Sequence, residues 1–342
     1  MNAPDISVII PIYNRGDVIR YTLESVRRAS VGLHVETIIV DDGSTPPTAD
    51  TLARFGFVPS VLERQENQGL LFARLAGFAR ATGRHVLFLD SDDLVSPEKL
   101  RLQIAALDAG PADVSYTDQA RCTLEGDYDQ LKIVPDEPLL DTDDSAKFFI
   151  AVQPAPHCPV FRTEWLRRVL AAPLFPPSAL YNSVAEIWFY HNAAPHPASV
   201  IKVHGAHTIG GRHPGERITN HWERLAAGSL AVMEAFARTC PDTPATARAR
   251  QLVAEKAFLS WRRLPRGFSP EFCARELAIW RRLAAHDSFH RLGGPVFQNL
   301  ARLLGPVPAG WLLRRLQSQP YRTCRTLSDV DFAKLLSVLP PT

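Results

Sequence analysis

The chain has 342 residues, 46% hydrophobic and 22% charged, with 38 Lys and Arg against 36 Asp and Glu. Such a composition belongs to a globular protein with one large or two ordinary domains, and it excludes disordered, collagenous or disulfide-stapled classes. The near-neutral total hides an asymmetry: residues 1–211 hold 18 basic and 26 acidic side chains, net −8, whereas residues 212–342 hold 20 and 10, net +10.

Ile6 to Ile12 (ISVIIPI) is a β-branched run of strand length, closed by Tyr13, Asn14 and Arg15, and apolar residues at helical spacing follow from Asp17 to Ala29. A second strand, Val35 to Val40, stops at the acidic turn Asp41, Asp42, Gly43, Ser44. A short strand is expected over Val58–Glu63. Asn67, Gln68 and Gly69 then lead into a helix that stops at Gly83. Next comes VLFLDSDD, Val86 to Asp93, a doubly buried strand running straight into Asp90, Ser91, Asp92 and Asp93. The alternation of strand and helix implies a parallel α/β sheet with these acidic turns at one edge. Carboxylates so crowded repel one another unless a cation neutralises them, which points to Mg²⁺ or Mn²⁺ arriving with a phosphate; a solvated turn is the plain alternative. No phosphate-binding glycine loop is present, so a bound diphosphate would need that cation. Arg74 is either a fixed positive charge for the same ligand or an exposed helix arginine.

A helix from Pro97 to about Leu107 and a strand over Asp113–Thr117 come next, then a polar, loop-like stretch from Arg121 to Thr142. Pro154 to Arg162 (PAPHCPVFR) has a short strand pattern with His157 near its start, and Trp165–Leu170 a short helix. Between Ala171 and Ile201 the one carboxylate is Glu186, in SVAEIWFYHNAA. A glutamate beside aromatics has its pKa raised by desolvation, which suits a general base; a helix glutamate facing water is the alternative. His204, His207, Arg212 and His213 follow, a set able to hold a metal or a phosphate if the fold gathers it. From about Gly215 the pattern turns helical, with Trp222, Trp261, Trp280 and Trp311 expected in the core. Leu292–Leu316 mixes apolar residues with arginines, which fits either a membrane surface or a core-packing helix pair with a basic solvated face.

The five cysteines, at 122, 158, 240, 273 and 324, form no C-x-x-C pair and no zinc spacing, and read as reduced thiols. The first residues carry no basic leader, and no apolar run is long enough to span a bilayer. A cytoplasmic protein, soluble or peripheral to the inner face of the membrane, is therefore expected, with no nucleic-acid partner.

Taken in order, VIIPIYNR, IIVDDGST and ENQGLLFARLAGFARATGRHVLFLDSDD closely resemble the nucleotide-sugar-binding half of the family 2 glycosyltransferases, whose fold is GT-A: a mixed α/β sheet flanked by helices, here with a mainly helical C-terminal extension. The resemblance is strong over about the first 100 residues, plausible over 110–211 and absent beyond. It divides the chain into a donor-binding half (1–110), an acceptor-binding half (111–211) and a basic helical region (212–342). It implies that Pro11 and Tyr13 flank the uracil ring of a UDP-sugar and that Asp42 pairs with the uracil N–H. Arg74 matches the arginine of the family's A-R-N segment, although Leu75 replaces the Asn. Asp90, Ser91 and Asp92 resemble the D-x-D motif, with Asp92, extended by Asp93, on the Mn²⁺ or Mg²⁺. AEIWFYHNAA resembles the general-base segment, with Glu186 as base and Ala185 where relatives carry an acid. His157 is a candidate acceptor contact, and His207, or else His204, a candidate for the histidine that reaches the metal or diphosphate. The implied reaction is an inverting transfer to a hydroxyl of a glycan, lipid-linked or other acceptor. Two rivals stand beside it: a catalytically silent nucleotide-sugar-binding or scaffold protein of this fold, and a sugar-phosphate nucleotidyltransferase, which would carry the missing glycine-rich basic loop.

Overall fold

The structure, a computed structural model, describes residues 3–214, 220–284 and 288–339. Among the described residues nine strands form one sheet: β1 (Ile6–Ile12), β2 (Val35–Asp41), β3 (Val61–Arg64), β4 (His85–Phe88), β5 (Leu94–Val95), β6 (Val114–Thr123), β7 (Val134–Pro135), β8 (Val160–Arg162) and β9 (Val200–Arg212). Their order is β3-β2-β1-β4-β8-β6-β9-β5, with β7 paired to β6. β1 to β4 are mutually parallel, β8 runs antiparallel between β4 and β6, β9 is parallel to β6, and β5 closes the edge antiparallel to β9.

Parallel strands covered by helices on both faces need apolar residues at every position. All seven residues of β1 are buried, and they alternate between the two layers. Ile9 joins Ile38, Phe88 and Trp188 on one face, while Val8 and Ile10 meet Leu23, Leu100 and Ile104 on the other. The first of these clusters also takes in Phe236, Val253, Phe272 and Leu339, so the C-terminal helices share the core of the sheet. Those helices include Trp222–Thr239, Ala247–Arg263, Pro270–Leu283, Pro295–Leu304, Pro306–Gln317 and Asp329–Ser337. Proline opens three of them, where its missing N–H has no intrahelical partner to lose.

Three features depart from the sequence reading. The histidine-bearing segment after Val200 is a 13-residue strand, β9. Its glycines and histidines break the two-residue alternation, and its strand character comes from pairing with β6 along its length, from Val114↔Val200 to Thr123↔Arg212. β6 accordingly runs on to Thr123, past the expected end at Thr117. Trp261 is buried as expected, but Trp311 is 53% exposed. The expected onset of helix near Gly215 falls outside the described residues. Among the described residues, no helix is long and apolar enough to cross a membrane.

Candidate active site

Because β1, β2 and β4 are adjacent and parallel, their C-terminal ends open onto one edge. Pro11 lies buried within β1, and Tyr13, just past its end, is 50% exposed. Asn14 takes a left-handed conformation (φ 50°), which asparagine tolerates better than most residues, and pins the turn to its neighbour. Its N–H donates to Ser44 Oγ at 3.0 Å, and its Oδ1 accepts from Thr45 N at 2.8 Å.

The two carboxylates ending β2 have different duties. Asp41 accepts from Ser44 N, Thr48 N and Arg64 Nη1 at 2.8 to 3.0 Å. Burial alone would raise its pKa, but the donors, led by Thr48 N–H, prevail and hold it below the usual range. Asp42 reaches across to the loop before the next helix, accepting from Gln65 Nε2 at 2.8 Å and from the N–H groups of Gln68 and Gly69 at 2.9 Å. Asn182, from the turn just ahead of Glu186, binds the same loop from the other side. Its Nδ2 donates to Gln68 O at 2.9 Å and its Oδ1 accepts from Leu71 N at 3.1 Å, capping the helix Leu70–Arg80 from outside. A Cβ on Gly69 (φ +95°) would lie 2.1 Å from Asn182 Nδ2, so only glycine fits there.

Arg74, on that helix, is 1% exposed. Its Nη2 donates to Asp90 Oδ1 at 2.6 Å and its Nη1 lies 3.7 Å from Glu186 Oε2. One buried guanidinium thus joins the acidic turn after β4 to the helix Ala185–Ala193. Desolvation opposes its charge, but Asp90 and Glu186 outweigh it and raise its pKa. Glu186 keeps 30% of its side chain exposed while protein atoms ring the carboxyl. That desolvation pushes its pKa up, against the pull of Arg74.

Ser91, Asp92 and Asp93 are all buried, and Asp90 keeps 24% of its side chain exposed. Asp92 Oδ2 meets His213 Nε2 at 3.0 Å and Arg15 Nη2 at 3.4 Å. Burial, then the charge of Asp93, raise the pKa of Asp92. Asp93 Oδ1 accepts from Gly211 N at 2.9 Å, and its Oδ2 lies 3.0 Å from Nδ1 of His157, itself 1% exposed. Gly211 is required here, since a Cβ would sit 1.9 Å from the Asp92 carbonyl oxygen.

The histidine beside the cluster is His213, where the sequence reading had favoured His207. The β5–β9 register explains the difference. With Leu94 opposite Ile209 and Val95 opposite Thr208, His207 falls beside Ser96, whose Oγ is 2.8 Å from its Nδ1. Four residues beyond Ile209, His213 reaches the acidic turn. His204 is 79% exposed and lies 3.9 Å from Asp141. Arg15, Asn182 and Gly211 carried no local signal, because each matters through a partner 77, 114 or 118 residues away.

Among the described residues, no set of three or more His, Cys, Asp or Glu side chains is arranged to hold a metal by itself. The donors present still suit a hard cation that keeps phosphate and water oxygens, because Mg²⁺ typically takes only one or two protein carboxylates. Asp92 and Asp93, desolvated and mutually repelling, supply those.

A mixed sheet flanked by helices, with acidic turns at the C-terminal ends of its parallel strands, is the GT-A fold. Residues 7–170 match the family model described as Glycosyl transferase family 2. Curated relatives include the putative teichuronic acid biosynthesis glycosyltransferase TuaG of Bacillus subtilis, 38% identical over 126 residues, which are 36% of this chain and 50% of that protein. The succinoglycan biosynthesis protein ExoO of Rhizobium meliloti is 34% identical over 127 residues, 36% of this chain and 35% of that one. The matched stretches span between 18% and 56% of the length of such relatives. Likeness in fold extends further. Residues 1–349 of S. aureus TarS, solved in complex with UDP-GlcNAc, superpose with a TM-score of 0.63 at 18% identity, covering 95% of this chain and 93% of that one. The mannosyltransferase PcManGT from Pyrobaculum calidifontis, in complex with GDP-Man and Mn²⁺, gives 0.53 at 16% identity over 93% and 87%. The helical C-terminal region, beyond the reach of sequence resemblance, therefore lies within the span of the shared fold.

Proposed function

We propose that this protein transfers a sugar, with inversion, from a nucleotide-diphosphate sugar of the UDP type to an acceptor hydroxyl in the synthesis of a cell-surface polysaccharide or glycoconjugate. The observation that carries the reading is Arg74, which holds a donor-side carboxylate, Asp90, and a desolvated glutamate, Glu186, on one buried guanidinium. The names of TuaG and ExoO support the polysaccharide assignment, and UDP-GlcNAc on TarS supports the donor class.

In this reading residues 1–110 bind the donor, with Tyr13 beside the base and Asp42 shaping its pocket. Residues 111–211 receive the acceptor, and the helices of 212–342 wall that side. Glu186 takes the proton from the acceptor hydroxyl. The oxygen attacks the anomeric carbon as the bond to the diphosphate breaks, and the electron pair leaves with the diphosphate. Arg15 and His213, already at Asp92, answer the charge that develops there. A divalent cation on Asp92 and Asp93 would supply further Lewis-acid stabilisation when bound. His157, buried behind Asp93, suits a positioning role, with direct acceptor contact left to other groups. A cleft of about 630 Å³ between Ile150, Ala151, Trp222, Lys256 and Arg263 fits acceptor entry. Lys256 Nζ donates to Ile150 O at 3.1 Å and to Gln153 Oε1; burial pushes its pKa down to about 8, against the opposing pull of the Glu186 charge.

The test is a thermal-shift panel of UDP, GDP, CDP and TDP sugars with and without Mn²⁺, followed by a transfer assay with the donor it identifies. Stabilisation by one nucleotide class, dependent on Mn²⁺ and lost in Asp92→Ala, is expected, worth about 2.7 kcal/mol at 100 times the dissociation constant. Glu186→Gln should keep that shift and lose transfer by at least about 10²-fold. No shift with any nucleotide sugar would leave a silent protein of this fold, and near-wild-type turnover in Glu186→Gln would remove Glu186 as the base.

A further inference from the structure

Two adjoining helices, Pro295–Leu304 and Pro306–Gln317, are joined at Gly305, whose φ of +82° makes the sharp turn. Their inner faces are accounted for: Phe297, Ala301, Ala309 and Leu313 pack on Phe258 and Trp261. Gly310 comes so close to Trp261 that a Cβ would lie 2.6 Å from its ring. A helix pair with one face on the core should be polar on the other. This pair has large apolar side chains there as well: Val296 is 66% exposed, Leu303 82%, Leu304 52%, Trp311 53% and Leu316 73%.

The charge within this stretch of the sequence has one sign. From Ser288 to Ser328 the sequence has six arginines and no Asp or Glu. Arg314 turns inward to the carbonyls of Leu264 and Pro265, and Arg291 and Arg325 pair with Glu255 and Asp329. Arg302, Arg315 and Arg322 are exposed, and the Arg315 guanidinium stands 5.3 Å over the Trp311 ring. Beside them a cleft of about 550 Å³ has an apolar floor that includes Phe268, Leu277 and Val307, and a rim that includes Arg266 and Arg315.

We infer that this helix pair is a membrane-docking surface that seats Leu303, Leu304, Trp311 and Leu316 at the headgroup–acyl boundary of an anionic bilayer, with Arg302, Arg315 and Arg322 on the lipid phosphates. An amphipathic hairpin lying in the interface needs apolar side chains pointing out, arginines beside them and an aromatic ring at their boundary, and all three are present. A second copy meeting this face through the same face would bring the arginines of one copy towards those of the other, with no acid in the stretch to answer them. A bilayer supplies both the apolar depth and the negative charge. The surface is independent of the sugar-transfer chemistry and stands whether or not that reading holds.

The test is co-sedimentation of the full chain with vesicles of phosphatidylglycerol and phosphatidylcholine in equal parts, against vesicles of phosphatidylcholine alone. Binding to the anionic vesicles, weakened by salt, is expected. The pair Leu303→Ser with Trp311→Ser, and separately Arg302→Glu with Arg315→Glu, should each weaken it at least about tenfold. All four positions are solvent-exposed, and unchanged far-ultraviolet circular dichroism checks that the variants fold. Failure of the wild type to sediment with anionic vesicles would overturn the inference, as would binding indifferent to both pairs. A dimer in sedimentation equilibrium that Leu303→Ser with Trp311→Ser dissolves would also overturn it, by assigning the face to a second copy.

Discussion

Gly211→Ala is the substitution that most directly ties the fold to the site. The added Cβ would stand 1.9 Å from the Asp92 carbonyl oxygen and 2.8 Å from Leu124 Cδ1. Ordinary contacts lie near 3.5 Å, so β9 and the acidic turn must part by about 1.5 Å. Neither side yields easily, because Gly211 is paired with Cys122 on β6 and its N–H is donated to Asp93. Overpacking of this kind costs about 1–3 kcal/mol, and misplacing catalytic groups by about 1 Å lowers turnover about 10²-fold. The neighbouring glycine is an internal control: a Cβ at Gly210 would meet Ala120 O at 3.7 Å and Asp93 Oδ1 at 4.0 Å, both comfortable contacts. Guanidinium unfolding and Mn²⁺-dependent thermal stabilisation by the UDP-sugar should therefore be near wild type in Gly210→Ala and degraded in Gly211→Ala. Equal behaviour of the two variants, in either direction, would refute the reasoning that the β9 backbone supports the acidic turn.

Asn182→Ala removes the outside cap of the helix Leu70–Arg80 and one of the two clamps on the loop 65–69. A loss of about 1 kcal/mol in urea unfolding is expected, together with weaker donor binding; unchanged donor affinity would mean that Asp42 holds the loop unaided. Glu276, buried beside Ser260, has its pKa pushed up to about 8 by desolvation. Raised from 4.5 in the unfolded chain, it contributes stability that is fully present below pH 4.5 and lost as pH climbs through about 8. Glu276→Gln keeps an acceptor for Ser260 without the charge, so its stability relative to wild type should rise by about 1.4 kcal/mol per pH unit between pH 5 and 7. Urea midpoints at three pH values test this, and a gap independent of pH would contradict it.

Local chemistry already specified much of this protein. Continuous β-branched runs ending in acidic turns placed Asp42 and Asp90–Asp93 at strand ends, and the motif order pointed to the family whose model residues 7–170 match. A doubly buried strand is a contiguous apolar run, and the turn after it is spelled by its own residues, so both are legible without knowing any partner. The long strand β9 was not, because its hydrogen bonds come from β6 and its interrupted pattern satisfies no period. The choice of histidine followed from that strand: local spacing treats His204, His207 and His213 alike, while the pairing of β5 with β9 puts one at Asp92, one at Ser96 and one near Asp141. The same holds for Arg74, whose sequence neighbourhood suits an exposed helix arginine equally well. Burial between Asp90 and Glu186 makes it the link between the two halves of the site. Register and burial depend on segments distant in the sequence, and they exist only once the sheet has closed.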